Sequence, residues 1–141
     1  MEVAVLFGTE YGFSREVAAE AACSLISAGL RADVRDLATL ASGLSGLLPA
    51  PQAVVFVVST HGDGVPPPEA RPFFNALATS SESPPPYAVI ALGDRNYKHY
   101  CAAGVTLERI LGGKPFAARL DVDKGTSRHA VCQGPYAGDC A

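Results

Sequence analysis

Val3-Ala4-Val5-Leu6-Phe7-Gly8-Thr9-Glu10-Tyr11-Gly12-Phe13-Ser14 carries the decisive change of pattern in this chain. Val3 to Phe7 is apolar without alternation, as in a strand buried on both faces of a parallel sheet covered by helices. Gly8 to Ser14 is a turn rich in glycine and hydroxyl groups. Beyond it Val17, Ala21 and Leu25 recur at i+4, flanked by Ala18, Ala22 and Ile26, which predicts a helix from about Ser14 to Ala28 ended by Gly29. Arg31 to Leu37 then reads as a second strand.

The alternation continues along the chain. Ala53 to Val58 and Tyr87 to Leu92 are further unbroken apolar runs. Phe73, Phe74 and Leu77 follow Pro66-Pro67-Pro68 on a short helix, and Val105, Leu107, Ile110 and Leu111 lie on another, stopped by Gly112-Gly113. Phe116 to Asp123 supplies a fifth strand. Strands alternating with helices, without repeats or a linker, describe an α/β sheet built from right-handed crossovers. We read 1–125 as one domain and 126–141 as an irregular tail, with at best two helical turns from Thr126 to Gln133 and no apolar periodicity from Pro135 to Ala141.

Composition removes several classes of function. At 141 residues, 48% hydrophobic and 18% charged, the chain is one globular domain and not a disordered polar segment. Its longest apolar run is six residues, too short for a membrane span, and no secretion signal is visible. A net charge of −3 without a basic stripe argues against nucleic acid as a partner. Cys23, Cys101, Cys132 and Cys140 form neither a zinc pattern nor a redox pair, and read as reduced thiols of the cytoplasm or an organelle stroma.

A sheet of this kind binds ligands beyond the carboxyl ends of its strands, where the strand order reverses. The first loop there could wrap a phosphate with main-chain N–H groups aided by the helix dipole, or be a plain strand-to-helix turn. It lacks the Gly-Lys-Ser/Thr ending of a Walker loop and the Gly-x-Gly-x-x-Gly fingerprint. Ser59-Thr60-His61-Gly62-Asp63-Gly64 follows the third strand, and Leu92-Gly93-Asp94-Arg95-Asn96-Tyr97 runs on from the fourth to Tyr100-Cys101-Ala102-Ala103-Gly104.

Together, Gly8-Thr9-Glu10-Tyr11-Gly12 and these two segments resemble, in order and spacing, the flavodoxin-type FMN domain of the diflavin reductases. That group includes the NADPH-cytochrome reductases, the nitric oxide synthases and the sulfite reductase flavoprotein. The resemblance implies a flavodoxin-like doubly wound five-stranded parallel sheet in the order 2-1-3-4-5, here with its last helix short or missing. It also implies FMN as cofactor, held by Thr9, Glu10, Tyr11, Gly12, Phe13 and Ser14 in the first loop and by Ser59, Thr60, His61 and Gly62 in the second. The third loop would add Leu92, Gly93, Asp94, Asn96, Tyr97, Tyr100 and Cys101, and the fifth strand Asp123. Tyr97 would stack on one ring face, worth about 0.5–1.5 kcal/mol beyond burial.

The chain departs from the family at Tyr11 and Phe13, where threonine is usual, so Thr9, Ser14 and the backbone carry more of the phosphate. His61 would face the second side of the ring. His61, His99 and Cys101 have no spacing that fixes a metal geometry, and no metal is expected. In the family the peptide at Gly62 turns so that a carbonyl accepts from flavin N5, while Asp63, Asp94 and Asp123 near the ring would disfavour added negative charge. No NADPH-binding module is visible, so the expected role is single-electron transfer from an FAD/NADPH reductase module to a haem or iron–sulfur acceptor. Glu69 and its acidic neighbours would suit a basic docking surface. The alternative is an FMN-free docking module. Ser59-Thr60 stands where a receiver domain needs an aspartate, which argues against phosphoryl signalling.

Overall fold

The computed structural model describes residues 2–8, 12–47, 50–60, 65–80, 84–93, 101–113, 115–116 and 119–123. Five strands, β1 (Glu2–Gly8), β2 (Arg31–Asp36), β3 (Ala53–Ser59), β4 (Tyr87–Gly93) and β5 (Leu120–Asp123), form one sheet in the order β2-β1-β3-β4-β5. Every neighbouring pair is parallel, with Leu6 opposite Arg35 and Phe56, Val57 opposite Ile90, and Gly93 opposite Asp123. The predicted order is therefore the observed one. Three α-helices lie among the described residues: α1 (Phe13–Ser27), α2 (Arg71–Thr79) and α3 (Ala102–Leu111). The expectations for a last helix and for the tail 126–141 lie outside the described residues.

Unbroken apolar strands give two cores because alternate side chains leave opposite faces of a sheet. Val3, Val5, Phe7, Val55, Val57, Ile90 and Leu92 gather with Val17, Ala18, Ala21 and Leu25 of α1. Leu6, Phe56, Val58, Val89 and Ala91 gather on the other face with Phe73, Phe74 and Leu77 of α2 and Leu107 of α3. All seven residues of β3 and of β4 are buried, as their composition requires. β2 is one edge, and its Arg31, Asp33 and Arg35 keep that edge unattractive to other strands.

One exposure and two boundaries differ from the sequence reading. Ile26 is 55% exposed, because nine residues on from Val17 is about half a turn away from it around the helix. β2 stops at Asp36, whose carboxylate accepts from the Ala38 N–H at 2.9 Å and starts a 3-10 turn that buries Leu37. β5 begins at Leu120 and not Phe116; Phe116 is exposed, and its N–H donates to the Tyr87 carbonyl at 2.8 Å, back at the start of β4. The helix ends were legible: α1 closes with Gly29 and Leu30 donating to the carbonyls of Ile26 and Leu25, and α3 closes at Gly112.

Candidate functional site

The chain turns back at β1. The connection from β1 leads to β2 on one side, while β3 returns to its other side, so the switch point lies between the carboxyl ends of β1 and β3. α1 starts there on Gly12, whose φ of 90° is the left-handed conformation that glycine adopts without penalty. Gly12 has no side chain with which to cap the helix. The first main-chain bond of this turn is from the Glu16 N–H to the Gly12 carbonyl, 3.3 Å. Helix geometry leaves the N–H groups of Phe13, Ser14 and Arg15 without intrahelical acceptors, which is the arrangement an anion can use.

Ser14 and Ser59 meet across this switch point. Both are buried, and their hydroxyls are hydrogen-bonded to each other. The first and second predicted loops are thus joined at their roots. Phe13 turns its ring toward the α1-side core, against which it is packed. Its contribution to a ligand is therefore its main chain and not a hydroxyl.

The second and third loops are joined by Thr60. Its N–H donates to the Leu92 carbonyl at 3.0 Å, and its Oγ1 accepts from the Ala103 N–H at 3.1 Å, near the start of α3. Leu92 and Cys101 have their side chains inside the two cores, one on each face. What they present at the edge is main chain. Cys101, at the N-cap of α3, has φ 57°, and its thiol donates to the Ala91 carbonyl at 3.3 Å. α3 approaches β4 so closely that a Cβ on Gly104 would collide with the Ala91 side chain, which explains the glycine there.

The structure therefore brings Gly12, Phe13, Ser14, Ser59, Thr60, Leu92, Gly93 and Cys101 to one edge, with the main chain of Asp123 paired to Gly93. Thr9, Glu10, Tyr11, His61, Gly62, Asp94, Asn96, Tyr97 and Tyr100 lie outside the described residues, as do His99, Asp63 and the side chain of Asp123. Among the described residues no cluster of His, Cys, Asp or Glu is arranged to hold a metal. Arg15 was missed by the sequence reading: it is exposed on the first turn of α1, with its guanidinium carbon 5.4 Å from the centre of the Phe7 ring. Its signal was only its place, one residue beyond Ser14.

Among the described residues two titrating groups are shifted, both away from this edge. Tyr87 is pushed up by burial and then by Glu108, and its hydroxyl donates to the Gly112 carbonyl at 2.7 Å. Arg119 is pushed further up by its hydrogen bond to Asp121, opposed by burial, with Glu108 adding to the rise. A cleft of about 630 Å3 among Leu44, Leu77, Ser80, Ile110 and Leu111 lies beside the opposite ends of α2 and α3, and brings none of the predicted residues together.

Comparison with known proteins agrees with this geometry. The profile described as Flavodoxin matches residues 5–131, and the chain belongs to the flavodoxin family. NADPH oxidoreductase A of Dictyostelium discoideum is 41% identical over 129 residues, covering 86% of this chain and 20% of its own length. Flavodoxin YqcA of Pectobacterium carotovorum is 36% identical over 127 residues, covering 86% of this chain and 82% of its own. The sulfite reductase [NADPH] flavoprotein alpha-component of Neisseria meningitidis is 34% identical over 131 residues, covering 86% and 20%. The resemblance to the diflavin reductases therefore holds, and the chain spans about a fifth of the length of those reductase relatives. A C101A mutant of flavodoxin from Pseudomonas aeruginosa superposes with a TM-score of 0.77 at 32% identity, covering 90% of this chain and 87% of that one. FMN is the cofactor of the family. No helix among the described residues is long and apolar enough to cross a membrane.

Proposed function

We propose that this chain is an FMN-binding electron-transfer domain that takes electrons from an FAD- and NADPH-binding reductase module and hands them singly to a haem or iron–sulfur acceptor. The observation that carries the reading is the meeting of Ser14 and Ser59 at the switch point, beneath the opening turn of α1. An anion there meets main-chain N–H groups and the positive end of a 15-residue helix, beside a hydroxyl pair that keeps one proton beyond the Ser14–Ser59 bond. Those donors fit the phosphate of FMN. When bound, FMN supplies a centre that links two-electron to one-electron chemistry.

The chain's own part is to bind, orient and exclude water. Ser14, Ser59 and the N–H groups of Phe13 and Arg15 serve the phosphate, with Thr9 assigned beside them. His61 and Gly62, which continue from Thr60, and Tyr97, on the segment leaving Gly93, are assigned to the ring. The partners follow from the relatives: proteins named NADPH oxidoreductase A and sulfite reductase [NADPH] flavoprotein support a reductase module as donor. Glu69, exposed beside the Pro66-Pro67-Pro68 stretch, supports a basic docking surface. The cytoplasm is the assigned compartment.

Phe13 favours a second reading, a docking module without FMN, because its packed ring replaces a phosphate-facing hydroxyl. One experiment separates the two. Protein incubated with excess FMN and then dialysed should keep one flavin per chain, and photoreduction should proceed through separable one-electron stages. A colourless protein after dialysis overturns the carrier reading and leaves the docking module.

A further inference from the structure

We draw no further inference here: the strongest candidate, the cleft of about 630 Å3 among Leu44, Leu77, Ser80, Ile110 and Leu111 beside the carboxyl ends of α2 and α3, carries nothing because nothing in the structure shows what covers it.

Discussion

A cation on the first turn of a helix opposes the helix dipole, at a cost of about 0.3–1 kcal/mol, unless an anion is there to meet it. Arg15 holds that position, exposed and leaning over Phe7. If a phosphate occupies the turn, Arg15→Gln should weaken FMN roughly two- to fivefold at low salt, as for an exposed ion pair, and leave riboflavin binding unchanged. Fluorescence titration with the two flavins checks this, and equal losses for both would remove Arg15 from phosphate binding. Tyr87 gives a prediction about stability. Its phenol is held above the usual value, so the folded state keeps a proton that the unfolded chain gives up near pH 10. Its share of stability is complete below that pH and is lost as pH rises toward its folded value. Tyr87→Phe should flatten the fall in urea-unfolding stability between pH 9 and 11. It should also cost about 1 kcal/mol at pH 7 by orphaning the Gly112 carbonyl. At this scale the sequence showed which residue types gather at the edge but not their bonds. Ser14 was legible as a hydroxyl of the first loop and Ser59 as one of the second, whereas their bond to each other spans 45 positions and no local pattern encodes it.

Elements were legible in proportion to the simplicity of their environment. β1, β3 and β4 are buried on both faces, and an unbroken apolar run has one meaning there. β5 was read four residues too long because Phe116 looks like a strand residue, while its N–H in fact returns to Tyr87. Arg119 shows what positions this short strand: it reaches Glu108 on α3 and, at 2.7 Å, Asp121 within β5. Arg119→Met should cost about 0.5–1 kcal/mol, since the guanidinium is partly exposed. Chemical denaturation measures it, and added salt should narrow the gap to the parent. Gly104 controls the fit of α3 on β4. Gly104→Ala drives a methyl into Ala91 and should destabilise the fold by about 1–3 kcal/mol, with no gain from better helix propensity. A variant at least as stable as the parent would mean that α3 can slide on β4.

For the whole molecule, one sheet carries two cores, and the candidate site is where both meet. α1 belongs to one face, α3 to the other, and Ser59 and Thr60 stand between them at the end of β3. A ligand gripped by the first turn of α1 and by the exit of β3, where Thr60 meets the start of α3, would therefore stabilise both faces together, and melting should stay a single transition. Anything that binds the folded chain alone raises its stability by RT ln(1 + [L]/Kd), about 2.7 kcal/mol at a hundredfold excess over Kd. For a domain of this size that is on the order of 10 °C. Riboflavin at the same concentration should give a smaller shift, because it lacks the phosphate for which contacts with Ser14, Ser59 and the N–H groups of α1 are proposed. Differential scanning calorimetry of the FMN-free protein with each flavin decides the matter. Equal shifts would move the binding energy from the switch point to the ring, and no shift with FMN would leave the carboxyl edge as a surface for other proteins.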